Sequence, residues 1–314
     1  MMKVVYFAPE GFGYSTNQVA EGFHLLSKDG IVDFYCTNKV VHHGNKLEDL
    51  QLTSQDDAWR EAQDADMCIV GTDGDGSFHE GYSGRCIGDK RMMDKTVFID
   101  GSDTSDLLLE AQRVCVYFKR EVRVPMAYTL ADSNIRQHSF GLYDFHFDSK
   151  QPGYSDRKID VAFVAFGGSS QMRQQVADIA SRVVEKHNLS AEIHVQQDGQ
   201  PFSIEQYQQI MRSAKVGLST WGAGLDTLRF WETMGYGAAL VSCDMSQLYM
   251  QYPPRHNEHC LQFAHGSILE HNILRCLDEV HWNRIRRNAD RMMLKHHSTR
   301  ARAMQMIEQF KEFV

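Results

Sequence analysis

Residues 203–243, SIEQYQQIMRSAKVGLSTWGAGLDTLRFWETMGYGAALVSC, constrain the fold more than any other part of this 314-residue chain. Ile204, Tyr207, Ile210 and Met211 recur at helical spacing, which predicts an amphipathic helix over 203–213. Residues 216–220 are an apolar run of strand length, and the loop Trp221-Gly222-Ala223-Gly224 follows. Asp226 stands where the next helix would begin, because a carboxylate there can satisfy free backbone N–H groups. That helix is expected to run to about Met234 and to stop at Gly235 and Gly237, ahead of a second apolar strand at 238–242. Strand, glycine loop, helix, strand is a βαβ unit. Its loop places backbone N–H groups and the positive end of a helix dipole at a strand's carboxyl end, where an anion such as pyrophosphate is well held.

The side chains on that helix narrow the reading. Glu232 lies six residues beyond Asp226, about 9 Å further along a helix axis. That separation suits a phosphate at the helix start and a ribose diol at Glu232, since a carboxylate accepts two hydroxyl hydrogen bonds. Arg229, between them, offers a cationic fork suited to phosphate. Arg229 and Glu232 are also three apart on a helix, the spacing of an ordinary surface ion pair. Phe230 and Trp231 read as core under either alternative.

Gly222, Gly224, Asp226, Thr227, Arg229, Phe230, Trp231, Glu232 and Gly237 form the pattern G-x-G-x-D-T-x-R-F-W-E-x-x-x-x-G. Here the segment resembles the donor half of GT-B glycosyltransferases, especially the bacterial and phage-type set. The resemblance implies a nucleotide-sugar donor with Glu232 on its ribose. It departs from the fuller family signature of two glutamates eight residues apart, because Gly224 occupies the first of those positions.

The chain is long enough for two domains of about 150 residues. Its apolar content of 42% and charged content of 24% are those of a soluble globular protein. A net charge of −8 and a pI near 6.0 exclude a globally basic nucleic-acid-binding surface, leaving a local basic patch around 284–302. The seven cysteines include no C-x-x-C pair, and several lie in strand-like runs. They read as reduced core thiols, which points to the cytoplasm. The apolar run at 4–8 is short and ends at Pro9, so no signal peptide is expected. No apolar stretch reaches the roughly 18 residues of a membrane span.

Taken in order, residues 3–8 are a buried strand, followed by the loop Pro9-Glu10-Gly11-Phe12-Gly13 and a helix over about 16–27. The two glycines are an incomplete dinucleotide fingerprint. Further strands are expected at 31–36, 67–71, 96–100 and 114–118, with helices near 57–63 and 106–112. Asp73-Gly74-Asp75 ends the third strand and admits a turn, an acceptor-site role or a metal role; a turn is favoured and no metal is assigned. Residues 76–94 read as a long polar loop. The string Tyr117-Phe118-Lys119-Arg120-Glu121 resembles a second motif of the same glycosyltransferase set, the alternative being a self-paired strand end.

Residues 131–158 lack a period, and the domain boundary is placed there, at 152. The second domain opens on a strand at 160–166, then Gly167, Gly168, two serines and Arg173 in the first turn of a helix to about 186. This is a further anion-binding corner, or else an ordinary βα turn. In the resembled family this loop lies under the donor phosphates. His256 and His259 have no further ligands at zinc spacing.

The expected fold is thus α/β, two Rossmann-like domains facing across a cleft in the GT-B manner. Residues 1–152 form the acceptor side, 153–295 the nucleotide-sugar side, and 296–314 a helix returning to the first domain. The expected activity is metal-independent transfer of a sugar from a nucleotide-sugar, a co-substrate rather than a cofactor, to an acceptor that is a saccharide, lipid-linked glycan, protein or modified nucleic acid base. A nucleotide-sugar epimerase of similar build and a non-catalytic nucleotide or sugar-binding module are the alternatives. Donor-binding candidates are Gly167, Gly168, Arg173, Gly222, Gly224, Asp226, Arg229 and Glu232. Catalytic-base candidates are Glu10 and then Asp73, and cleft candidates are Gly11, Gly13, Asp100, Lys119 and Arg120.

Overall fold

The computed structural model describes residues 1–9, 13–39, 46–74, 81–148, 150–166, 171–196 and 202–314. Glu10, Gly11, Asp75, Gly167 and Gly168 lie outside the described residues. The chain divides into two compact units. Unit 1 comprises Met1–Phe145, Leu248–Gln251 and His296–Val314; unit 2 comprises His146–Gln247 and Tyr252–Lys295.

Unit 1 is built from β1 (Met2–Phe7), α1 (Tyr14–Lys28), β2 (Val32–Cys36), α2 (Gln55–Gln63), β3 (Met67–Gly74), α3 (Tyr82–Gly88), α4 (Lys90–Met93), β4 (Thr96–Ser102), β5 (Val116–Lys119), α5 (Val124–Thr129) and β6 (Ile135–Gln137). The six strands run parallel in the order β2-β1-β3-β4-β5-β6. Helices cover both faces, so the central strands are apolar on both sides. Val4, Tyr6, Ile69, Val97 and Phe118 face one core, and Val5, Phe7, Cys68, Val70 and Phe98 the other.

Three expectations for this unit need correction. The stretch read as a long loop contains α3 and α4, each too short to show a period, which bury Cys86 and Met92. The expected helix near 106–112 is a 3-10 turn, Leu109–Arg113. The aperiodic stretch hides β6, three residues pairing with β5 at the sheet's edge.

After α6 (Phe145–Asp148), unit 2 contains β7 (Ile159–Phe166), α7 (Gln171–His187), β8 (Ala191–Gln196), α8 (Ile204–Ser213), β9 (Ala214–Ser219), α9 (Leu228–Gly235), β10 (Ala239–Cys243), β11 (Leu261–Phe263), α10 (Gly266–Cys276) and α11 (Glu279–Met292). Its five parallel strands run β11-β10-β9-β7-β8. Trp231 and Trp282 are its largest fully buried side chains. The Trp282 indole N–H donates to the Lys215 carbonyl at 2.7 Å. His256 and His259 each accept a backbone N–H at Nδ1, from Gln262 and Arg255, and so brace the turn between β10 and β11.

The last helix, α12 (Thr299–Phe310), belongs to unit 1. Ala303, Met306, Ile307 and Phe310 enter the core beneath β1 and α1. A Cβ at Gly22 of α1 would collide with the Thr299 carbonyl, so only glycine allows this approach. Buried Glu21 accepts the Thr299 hydroxyl at 2.7 Å and the backbone N–H groups of Lys46 and Asp144. Burial raises the Glu21 carboxyl above its ordinary value. Among the described residues, no helix is long and apolar enough to cross a membrane.

Candidate functional site

In unit 2 the chain leaves β7 toward β8 on one side and returns through β9 on the other. The strand order reverses between β7 and β9, and ligands of open α/β sheets sit outside the carboxyl ends at such a point. The loop after β7 leads into Arg173, in the first turn of α7; the loop after β9 carries Gly222, Gly224 and Asp226 and leads into α9. Two stretches separated by 50 residues of sequence therefore meet at one edge. A Cβ at Gly222 would stand 3.0 Å from Arg173 Nη2 and 3.2 Å from Thr227 Cγ2. Glycine at 222 lets the guanidinium pass against the loop backbone, which is closed by the Gly222 N–H to Gly224 carbonyl bond of 2.9 Å.

Asp226 departs from its expected role as the helix cap. Thr227 is the N-cap, without a side-chain capping bond. The Asp226 carboxylate is buried and accepts the Trp231 indole N–H at 2.6 Å. Trp231 lies on the core side of α9, so Asp226 turns inward to meet it and anchors the loop to the helix. In the same loop, the Trp221 indole donates to the Asp244 carbonyl at 3.2 Å, fastening it to the end of β10.

Arg229 and Glu232 share a face of α9, but the partner of Glu232 comes from elsewhere. The Tyr207 hydroxyl donates to Glu232 Oε2 at 2.9 Å. Tyr207 is on α8, which opens with Ser203 capping the Gln206 N–H and Gln206 answering at the Ser203 N–H. The sequence marks Tyr207 only as one of the apolar face; its phenol is what a buried carboxylate would require.

The electrostatics are lopsided. Burial pushes the Glu232 carboxyl above its ordinary value, against the opposing pull of the Tyr207 hydroxyl and the Arg229 charge. Burial, and then the charge of Glu232, raises Tyr207 well above an ordinary phenol. Burial and then the neighbouring Arg229 lower Arg173. The Arg229 Nε is buried with no hydrogen-bond partner among the described residues. Two guanidinium groups thus lie near one another, beside a carboxylate whose ionised form burial disfavours.

In unit 1 the strand order reverses between β1 and β3. The loop after β1 leads to Gly13, the N-cap of α1. Asp73 lies near the carboxyl end of β3, its backbone in register with Gly101 of β4. Asp100, Lys119 and Arg120 are 1%, 0% and 2% exposed and gather around the ends of β4 and β5. Lys119 Nζ lies 3.0 Å from Asp100 Oδ1 and donates to the Ser102 hydroxyl at 2.6 Å. Asp100 also accepts from the hydroxyls of Ser102 and Tyr117 at 2.6 and 2.5 Å. Arg120 pairs with Asp103 and with Glu121, donates from Nε to the Gly101 carbonyl and stacks on Phe140 at 4.5 Å. Burial lowers Lys119, with Asp100 as the principal opposing influence.

Residues 167–308 match the glycosyl transferase-like family, so that segment is a glycosyltransferase domain. The chain as a whole has the GT-B fold: two parallel-sheet α/β units like those of several solved glycosyltransferases. An alpha-glucosyltransferase solved with UDP and a 13-mer DNA containing an A:G mismatch aligns at TM-score 0.61 and 12% identity, over 99% of both chains. A glycosyltransferase of Rickettsia africae aligns at 0.61 and 10%, over 99% of this chain and 98% of that one. Anabaena HepE, solved with UDP and glucose, aligns at 0.55 and 13%, over 99% and 100%. No curated protein sequence matches the chain.

Proposed function

We propose that the protein transfers a glycosyl group from a nucleoside-diphosphate sugar held at the switch point of unit 2. The observation that carries this reading is the approach of Arg173 to the glycine loop at Gly222, with the Arg229 charge near enough to lower it and the Arg229 Nε without a hydrogen-bond partner among the described residues. A diphosphate would bring negative charge to two neighbouring guanidinium groups, Arg173 and Arg229. Glu232, further along α9, accepts the ribose hydroxyls, and Tyr207 holds its orientation. Gly224 offers backbone approach to the phosphates, and Asp226 shapes the loop through Trp231. The G-x-G-x-D-T-x-R-F-W-E pattern is then the donor signature of the bacterial and phage-type set. Because several aligned glycosyltransferases were solved with UDP, a uridine diphosphate sugar is the first donor to test.

In the reaction the anomeric carbon–oxygen bond to the diphosphate breaks and its electron pair leaves with the diphosphate. A bond forms to an acceptor hydroxyl, whose proton must go to a base. Arg173, Arg229 and the start of α9 offset the leaving charge, so no divalent metal is required and no cofactor beyond the donor is invoked. For transfer with inversion, Glu10 after β1 is the first choice of base and Asp73 at the end of β3 the second. Gly13, Asp100, Lys119 and Arg120 belong to the same edge of unit 1. With retention no such base is needed, and Glu10 serves binding instead. The seven free cysteines, six of them buried, fit a reducing cytoplasm.

The test is calorimetry with UDP, together with assays of UDP release from UDP-sugars with and without acceptors. Glu232→Ala is expected to weaken UDP binding by about 1.5–3 kcal/mol. Unchanged affinity would sink the donor assignment. Activity abolished by a chelator and restored by manganese would overturn metal independence. Glu10→Gln, or Asp73→Asn, is expected to lower kcat by about 100-fold with donor affinity kept. Near-normal kcat in both variants removes both from the catalytic role.

A further inference from the structure

Unit 1 holds a cavity that none of this chemistry uses. It has a volume of about 480 Å³ and opens beside β6, the edge strand. One wall is α5, another is the end of α12, and the third is the segment Leu248–Gln251, which the chain contributes to unit 1 from between β10 and β11. That segment is pinned by the bridge between Leu248 and Arg123 and by the Tyr249 N–H donating to the Val122 carbonyl at 2.8 Å. We propose that this cavity is a binding site for a neutral saccharide.

The donors and acceptors left over in the cavity carry the argument. The Gln251 backbone N–H donates to Gln137 Oε1 at 3.0 Å, and Gln309 Nε2 donates to Gln251 Oε1 at 2.7 Å. These bonds fix two amides side by side and leave Gln251 Nε2 as a donor and Gln309 Oε1 as an acceptor, neither otherwise engaged among the described residues. A hydroxyl, which both donates and accepts, matches such a pair. Tyr128 and Tyr249 line the same cavity yet are 81% and 45% exposed, which leaves two flat amphipathic rings available. A pyranose presents a hydroxyl edge and an apolar C–H face, the two chemistries found here.

Charge argues against an anion. Arg136, the only cation lining the cavity among the described residues, is committed: it pairs with Glu312 at 3.5 Å, donates to the carbonyls of Ser133 and Ile135, and lies over the Phe313 ring at 4.6 Å. A phosphate would meet a guanidinium already neutralised, beside a carboxylate. The volume falls within the roughly 300–1,000 Å³ of small-molecule sites, enough for one or two sugar rings.

The site lies wholly in unit 1, so its test is separable from that of the nucleotide site. The probes are methyl α-glucoside, maltotriose and N-acetylglucosamine, followed by saturation-transfer NMR on the full chain. Transfer to at least one probe is expected. Tyr249→Ala and Gln309→Leu should weaken it by about tenfold or more, and Tyr128→Ala, at an exposed position that folding tolerates, should weaken it too. All three variants should retain wild-type thermal unfolding and UDP affinity. Glu232→Ala should leave the saccharide signal intact while UDP binding falls. No transfer to any probe, or transfer that persists in Tyr128→Ala and Tyr249→Ala, would overturn the proposal.

Discussion

Two charged clusters lie at carboxyl ends of strands, one in each unit, and they are opposite in kind. In unit 1 every ionised group has an opposite partner at hand: Lys119 with Asp100, and Arg120 with Asp103 and Glu121. Hydroxyls of Ser102 and Tyr117 complete the shell of Asp100. In unit 2, Arg173 and Arg229 face each other, and the nearby Glu232 is held by a phenol, not by a cation. A closed cluster of charges is architecture, because each charge already has its counter-charge within the protein. An open cluster, in which like charges adjoin, is the better candidate receptor, because an anionic ligand relieves their repulsion. Position at a strand's carboxyl end therefore does not by itself make a charged residue a ligand contact.

The sharpest way to break this contrast is to open the closed cluster. Lys119→Met leaves Asp100 buried without its cation and should lower the unfolding free energy by about 3–5 kcal/mol. The measurement is the urea midpoint, with an unchanged slope confirming a change in stability alone. A loss of less than about 1 kcal/mol would mean that Lys119 is not committed to Asp100 and is free to meet a substrate. The open cluster should respond in the other currency. Arg229→Ala should weaken UDP by about 1.5–3 kcal/mol, roughly tenfold to a hundredfold, as read by calorimetry. Its unfolding midpoint should hold or rise, since repulsion with Arg173 is relieved. A variant that loses stability while keeping UDP affinity would make Arg229 architecture as well.

How far this contrast is legible in the sequence depends on the range of the interactions. The strands and long helices follow from local periodicity, and β1, β7, β9, β10, α1 and α7 lie within a few residues of where the pattern puts them. Short elements escape because three or four residues carry no period, as with β6 and α4. The glycine loop and Arg229 are visible because they are neighbours in sequence. That Arg173 meets Gly222 is not, since it depends on the strand order β9-β7. The Tyr207–Glu232 bond joins residues 25 apart on different helices, and nothing in either helix's pattern requires it. Lys119 and Arg120 look alike in sequence whether they point to a ligand or to Asp100 and Asp103; only burial decides. The Asp226 carboxylate shows the same limit at short range, because a capping position and a partner for the Trp231 indole are a single residue apart.

The smallest effect, and the most selective, is pH dependence at Glu232. Burial raises its carboxyl above the ordinary value. The native state therefore binds this proton more readily than the unfolded chain, so the group's contribution to stability is full below the ordinary carboxyl value and is lost as pH rises through the raised one. Nucleotide binding runs the other way, because the ribose hydroxyls are accepted best by the ionised carboxylate. UDP affinity should accordingly increase as pH rises through the raised value and then level off, with a slope of at most about one decade per pH unit for a single proton. Glu232→Gln keeps an acceptor for the Tyr207 hydroxyl and removes the titration. The UDP phosphates titrate alike in both proteins, so the ratio of wild-type to variant affinity isolates Glu232. Measured by calorimetry across the acidic range, that ratio should climb with pH. A flat ratio would mean that Glu232 meets no ribose hydroxyl and belongs, like Asp100, to the closed kind.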